Sequence, residues 1–107
     1  MGKKSIIYKT DTGIEPYVKY VDSLKDRKGA AKIRLRITRA ELENFGDHKK
    51  IAKGVIELRI DYGPGYRIYI GLHGKELIIL LCAGNKKSQA KDIKAALKYW
   101  DDYKGQL

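Results

Sequence analysis

Cysteine, histidine and long apolar runs are all scarce in this sequence. Cys82 is the only cysteine, which excludes an internal disulfide and indicates a reducing compartment. His48 and His73 are the only histidines, too few to form a Cys/His cluster with zinc spacing. The longest apolar run, residues 77–83, is too short to span a membrane, and residues 1–5 lack the apolar stretch of a signal peptide. We therefore expect a cytoplasmic protein with no metal, no cofactor and no membrane partner.

Acidic residues are outnumbered as well. Lys and Arg total 23 against 13 Asp and Glu, which gives a formal net charge of +10. A small domain needs a net charge of only about 2–8 to stay soluble. The excess of positive charge predicts a polyanionic partner such as a nucleic-acid backbone. An acidic protein would be attracted by the same charge. The simpler alternative is that the positive charge serves only to keep the protein soluble.

Length and hydrophobic pattern predict one domain of the α+β class. The chain has 107 residues, of which 43% are hydrophobic, enough for one core. The predicted order is β-α-α-β-β-β-α. Strands are predicted at residues 5–9, 55–60, 66–71 and 76–82, and helices from about residue 15, at 30–43 and at 89–103. The last three strands should form an antiparallel meander packed against a helical hairpin and the C-terminal helix.

The 30–43 helix is apolar around most of its circumference. One stripe predicts that Ile33 and Ile37 are buried against the sheet. A second stripe consists of Ala31, Leu35, Thr38 and Leu42. Such a helix should contact both a sheet and something else, such as another helix or a partner. Basic ridges occupy the remaining sectors, with Lys32, Arg36 and Arg39 on this helix and Lys87, Lys91 and Lys94 near or in the last helix. These ridges suit phosphate contacts or, equally well, solvent.

Charged residues and a tyrosine alternate along the predicted meander. Glu57 and Arg59 share one face of the first strand, and Arg67 and Tyr69 share one face of the next. Arginine forks bind phosphate, and tyrosine rings stack on exposed bases. Glu57 is either a general base or a salt-bridge partner of Arg59 or Arg67, and cross-strand ion pairing is common.

The stretch at residues 54–69, GVIELRIDYGPGYRIY, resembles the core of the RelE/ParE superfamily of bacterial toxin–antitoxin toxins. It looks most like the HigB-like "addiction module killer" group of phage-related proteins. Supporting pieces are NFGD at residues 44–47 and LLC at 80–82, followed by Gly84 and Lys86. The resemblance covers nearly the whole chain. It implies the fold predicted above and a small antitoxin partner, expected to be a helix-turn-helix protein. It also implies a free monomer or a hetero-oligomer with that antitoxin.

The resemblance implies one of two activities. RelE-type members cut messenger RNA in the ribosomal A site, whereas ParE-type members poison DNA gyrase. For a nuclease it implies messenger RNA and ribosomal RNA as partners, with Arg67 as the phosphate and transition-state clamp. The basic residue after the last strand corresponds to Lys86 or Lys87. The sequence departs from RelE where Val55 and Glu57 replace two lysines, and its last helix lacks both the RelE tyrosine and the HigB-type histidine.

We therefore expect the toxin of a type II toxin–antitoxin system, acting as a ribosome-dependent mRNA endoribonuclease. The candidate catalytic residues are Arg67, Glu57 and Lys86. The candidate RNA-binding residues are Arg59, Tyr69, Lys87, Lys32, Arg36, Arg39, Lys91 and Lys94. One alternative is a ParE-like gyrase inhibitor without enzymatic activity, which accounts better for the missing proton-transfer residues. The other is a degenerate RNA- or protein-binding module.

Overall fold

A five-stranded mixed sheet forms the centre of the molecule in a computed structural model, which describes residues 2–107. The elements are β1 (Lys4–Ile7), α1 (Pro16–Ser23), α2 (Arg27–Glu41), β2 (His48–Ala52), β3 (Val55–Ile60), β4 (Tyr66–His73), β5 (Leu77–Asn85), a 3-10 turn (Lys86–Ser88) and α3 (Gln89–Gly105). The predicted α+β class, with a helical hairpin and a C-terminal helix, is confirmed.

The strands lie in the spatial order β1-β5-β4-β3-β2. Strands β2 to β5 form an antiparallel meander, which confirms the predicted pairing of β3, β4 and β5. β1 pairs in parallel with β5, with Lys4 opposite Leu77. The first strand of the chain therefore lies beside the last.

β2 is a strand that the sequence pattern does not predict. Four of its five residues, in the sequence HKKIA, are exposed, so it lacks the apolar alternation of a half-buried strand. It lies at the edge of the sheet and is held by its pairing with β3. The connecting turn uses positive φ angles at Lys53 and Gly54. Strand formation here follows from tertiary pairing rather than from local propensity.

The helices cover both faces of the sheet. α1 and α2 pack on one face, where Ile33 and Ile37 are 0% and 7% exposed, as predicted. α3 packs on the other face through Ala96 and Trp100. At Gly71 of β4 the sheet has no side chain, and an added Cβ would lie 2.4 Å from the Trp100 ring. No helix within residues 2–107 is long and apolar enough to cross a membrane.

α2 begins earlier than its apolar stripe indicates. Asp26 caps it by accepting a hydrogen bond from the Gly29 amide at 2.9 Å. Gly29 lies inside α2, before the predicted start at residue 30, and a Cβ at this position would lie 2.6 Å from the Tyr66 ring. The Tyr66 hydroxyl donates to Asp26 at 2.8 Å. These contacts fasten the start of α2 to β4.

β5 is buried on both faces, as its apolar sequence predicts. It continues to Asn85, although residues 83–87 have the composition of a loop. Gly84 pairs with Arg67 on β4, and a Cβ on Gly84 would lie 1.8 Å from the Asp92 carboxylate of α3. The glycine is therefore required by the close approach of α3. Burial raises the pKa of the Cys82 thiol to about 12, so this cysteine is unreactive.

Candidate functional site

A polar cleft of about 420 Å³ opens where β3 and β4 meet their connecting turn. The turn between these strands, at Gly63 and Gly65, has positive φ angles and forms one rim. The first residue of the 3-10 turn, Lys86, forms another part of the wall. The charged residues that line the cleft are Asp47, Arg59, Asp61, Arg67 and Lys86. Three of the predicted site residues, Arg59, Arg67 and Lys86, thus come together.

Arg59 and Arg67 are direct cross-strand partners in the β3–β4 ladder. Like charges placed opposite each other are destabilising unless something offsets them. Glu57 offsets Arg59, with an Nε–Oε1 distance of 2.9 Å. Arg67 has no acidic partner within the described residues 2–107, and its Nε atom is buried without a hydrogen-bond acceptor. The cleft therefore carries one arginine whose charge and donor are unsatisfied.

Glu57 is fully buried and its two carboxylate oxygens are occupied. Oε1 accepts from Arg59, and Oε2 accepts from the Tyr69 hydroxyl and the Gln89 amide, both at 2.9 Å. Burial raises the pKa of Glu57, but these hydrogen bonds together outweigh burial, and its pKa lies below the ordinary value. Glu57 does not line the cleft. This placement fits the salt-bridge alternative and leaves no free oxygen for a substrate proton.

The prediction that Tyr69 is a stacking platform for RNA bases is wrong. Its side chain is 0% exposed and lies in the core beneath α3. Burial and the hydrogen bond to Glu57 both raise the pKa of Tyr69, so its hydroxyl stays protonated and donates. Strand alternation places Tyr69 on the face of Arg67 correctly, but α3 covers that face at Tyr69. Arg67, next to the 3-10 turn, remains partly accessible.

Arg36, which the sequence predicts to bind RNA from a basic ridge, makes its hydrogen bonds within the protein. Its guanidinium donates to three backbone carbonyls, those of Phe45 at 2.9 Å, Arg59 at 2.5 Å and Asp47 at 2.5 Å. Burial lowers its pKa, and the nearby Asp47 charge counters this effect. Arg36 therefore fastens α2 to the cleft wall and has its donors engaged within the protein.

A protein of Haemophilus influenzae described as uncharacterized is 48% identical to this chain over 77 residues, which is 72% of this chain and 78% of that protein. The chain belongs to the family of this Haemophilus protein. No protein-family model matches the sequence. Identity at this level over most of both chains indicates a shared fold, whereas function has to be argued from the site.

The other predicted RNA-binding residues of this family member lie outside the cleft. Lys87 is exposed beside Lys86, and its amide donates to the Asn85 side chain, which caps the turn. The Lys32 ammonium lies 5.0 Å above the Tyr62 ring. The exposed remainder are Arg39, Lys91 and Lys94. Because α2 and α3 lie on opposite faces of the sheet, the two basic ridges do not form one surface. Their RNA contacts stay a prediction.

Sequence reasoning misses three residues that shape the site. Asp47 precedes β2 and reaches the cleft only because β2 pairs with β3. Asp61 follows β3 and forms part of the cleft wall. Gln89, the first residue of α3, reaches Glu57. The Asn-Phe-Gly-Asp stretch at residues 44–47 was the one available signal for Asp47, and nothing in the local sequence marks Gln89.

Proposed function

We propose that this protein is the toxin of a type II toxin–antitoxin system of the RelE/ParE superfamily. In this proposal it acts in the cytoplasm as a ribosome-dependent mRNA endoribonuclease. The observation that carries the proposal is the pair of facing arginines, of which only Arg59 has an acidic partner in the part of the chain that the structure describes. An RNA phosphate offers the charge and the acceptors that Arg67 lacks within the described chain.

The cleft suits a phosphodiester for reasons of charge and geometry. Arginine presents a planar fork of donors that fits two phosphate oxygens at once. Lys86 adds a point charge within the same cleft. When a 2′-hydroxyl attacks the neighbouring phosphorus, negative charge grows on the phosphate oxygens. Cations already fixed in place stabilise that charge more than they stabilise the ground state. Arg67 and Lys86 are the residues placed to do so.

An antitoxin is the second part of the proposal. The second apolar stripe of α2 is uncovered, with Leu35 50% and Leu42 72% exposed. Basic residues, among them Lys32 and Arg39, flank it. A partner segment with apolar and acidic residues would cover both features. Co-expression of the neighbouring gene product, followed by pull-down, tests this. Failure to bind or to restore growth would remove the antitoxin from the proposal.

One observation favours the rival function, inhibition of DNA gyrase without catalysis. Glu57 has no free oxygen, and the lysines, tyrosine and histidine of the RNA-cutting relatives are absent. An inhibitor needs no proton-transfer residues. Gyrase inhibition also gives no reason for Arg67 to lie in a polar cleft without an acidic partner among residues 2–107. We therefore rank it below the nuclease function.

Primer extension on messenger RNA after induction separates the two functions. A nuclease leaves in-frame cuts, and Arg67→Ala should reduce cleavage by about 10²–10³-fold, as removal of one transition-state donor does. Arg67→Lys should recover part of the rate, because one ammonium cannot replace the fork. Lys98→Ala is the control, since it removes the same charge from the exposed side of α3. Intact messenger RNA together with blocked gyrase supercoiling in vitro would establish the rival.

A further inference from the structure

Asp47 is a carboxylate of a different kind from Glu57. It is exposed on the cleft wall, where it shares the cleft with Arg59, Arg67 and Lys86. Its carboxylate oxygens make neither a hydrogen bond nor an ion pair within 4.0 Å, as far as residues 2–107 are concerned. Both oxygens are therefore free to accept a proton from something bound in the cleft.

The backbone of Asp47 is held firmly even though its side chain is free. Its carbonyl accepts from the Arg59 amide at 2.9 Å and from the Arg36 guanidinium at 2.5 Å. These bonds tie residue 47 to β3 and to α2 at the same time. Because only the carbonyl is used, the side chain can be changed without breaking either bond. The fixed position is what a group that acts on a bound substrate requires.

The charge of Asp47 also acts on the cations of this wall. The hydrogen bond to Glu57 is the main cause that raises the pKa of Arg59, and the charges of Glu57 and Asp47 add to it. Asp61 lines the same cleft, but its charge does not shift the pKa of Arg36 or of Arg59. Asp47 is thus the cleft carboxylate whose charge acts on both Arg36 and Arg59.

We infer that Asp47 is the proton acceptor for cleavage in this cleft, an inference that rests on the proposed nuclease function. The Asp47 carboxylate takes the proton of the attacking 2′-hydroxyl as the new bond from O2′ to phosphorus forms. The bond from phosphorus to O5′ breaks, and the Lys86 ammonium gives its proton to the departing O5′. The products are a 2′,3′-cyclic phosphate and a 5′-hydroxyl. Exchange with water then removes the proton from the Asp47 carboxyl group and adds a proton to the Lys86 amine.

This assignment resolves the conflict between a phosphate clamp and missing proton-transfer residues. The lysines of RelE-type members lie on the strand that corresponds to β3, where this chain has the buried Glu57. Asp47 reaches the same cleft from the loop before β2, in an adjacent part of the fold. The proton acceptor is therefore provided from a different element, which motif comparison along β3 does not reveal.

The test is single-turnover cleavage of messenger RNA on purified, programmed ribosomes by the full chain. Asp47→Asn should cleave about 10²–10⁴-fold more slowly, the usual contribution of a general base. Its binding to ribosomes programmed with messenger RNA that carries a 2′-O-methyl group at the cleaved position should not weaken. Asp47→Glu should retain much of the wild-type rate. Asp61→Asn should slow cleavage far less, and Asp101→Asn, on α3, is the control for loss of a surface charge.

The possible outcomes separate the inference from the function beneath it. Wild-type cleavage that persists in Asp47→Asn overturns the role of Asp47 and leaves the nuclease intact. Equal losses in Asp47→Asn and Asp61→Asn also overturn it, because the effect would then be one of cleft charge. If Asp47→Asn does not fold, a rate for Asp47→Glu as low as that of Arg67→Ala overturns it. A wild-type protein that cleaves nothing removes the proposed function itself, and the inference with it.

Discussion

The Nε atom of Arg59 lies 2.9 Å from Oε1 of Glu57, two residues earlier on the same strand. Alternate residues of a strand share a face, so this pair forms within β3 and needs no contribution from β4. Glu57 is fully buried, whereas the Arg59 side chain is 31% exposed at the cleft. The buried Glu57 carboxylate therefore binds the Nε atom of Arg59, while part of the Arg59 side chain remains accessible at the cleft. The cross-strand neighbour of Arg59, Arg67, has no acidic partner among residues 2–107.

Replacement of Glu57 by glutamine should lower stability. The change removes the ion pair with Arg59 and places an amide group among the Tyr69 and Gln89 donors. We expect the free energy of unfolding to fall by about 1–3 kcal/mol, the range for a buried polar group left badly matched. Urea unfolding at neutral pH measures this. A variant as stable as the wild type would contradict the network described here.

The pH dependence of stability should report on the same carboxylate. The pKa of Glu57 lies below its ordinary value of 4.5 in the folded protein. A group of this kind contributes stability above its unfolded-state pKa and loses that contribution as pH falls through the folded-state pKa. As pH falls below about 5 the wild type should therefore lose stability more steeply than Glu57→Gln. Parallel pH profiles for the two proteins would exclude this role of Glu57.

Tyr69→Phe tests whether the tyrosine serves the core rather than RNA. It removes one hydrogen bond to Glu57 and keeps the ring, so the loss of stability should be about 0.5–1.5 kcal/mol. Because the ring is buried, the affinity for programmed ribosomes should be unchanged. Filter binding, alongside urea unfolding, gives both numbers. A selective loss of RNA binding in the variant would restore the stacking role.

Arg36 and Arg39 offer a matched pair of equal charge. Arg36 binds three backbone carbonyls, whereas Arg39 is exposed on the same helix. Arg36→Ala should cost about 1.5–3 kcal/mol of unfolding free energy, typical of hydrogen bonds to a charged group, and Arg39→Ala should cost much less. Thermal and urea unfolding both measure the difference. Equal effects of the two changes would show that the carbonyl contacts contribute little.

Gly71 sets how closely α3 approaches the sheet. A methyl group at this position meets the Trp100 ring at 2.4 Å, so Gly71→Ala must push the helix or the ring away. We expect a loss of about 1–3 kcal/mol from overpacking. Gly105→Ala, at the end of α3, adds the same methyl group where no atom lies within 4 Å, and it is the control. Near-ultraviolet circular dichroism of Trp100 follows the displacement.

The meander and the two main helices follow from the sequence because their apolar periods are local. Ile33 and Ile37 recur at helical spacing, and the alternation of residues 55–60 marks the face that α2 covers. Arg67 and Lys86 could be predicted as site residues, because their chemistry and their places at strand ends suit phosphate binding. Their meeting in one cleft also needs the pairing of β3, β4 and β5, which short turns impose.

The burial of Tyr69 and Glu57 has one physical cause, which is the position of α3. Alternation shows which residues share a face, but it does not show where a helix distant in sequence will cover that face. Tyr69 and Glu57 therefore look accessible in the sequence and are buried in the fold. Asp47 shows the opposite effect, since an unpredicted edge strand brings it to the cleft. The accessibility of these three residues depends on which helix covers them and which strands pair, rather than on local propensity.

The pairing of β1 with β5 has a consequence for how the chain folds as it is made. β1 leaves the ribosome well before β5, its partner in the sheet, has been translated. The apolar sides of α1 and α2 also remain uncovered until the strands that follow them have been synthesised. Such distant pairings are slow to form and cannot begin before both segments exist. Nascent chains should stay protease-sensitive until residue 85 has emerged, and a cleft that includes Lys86 is completed only after β5 has been synthesised.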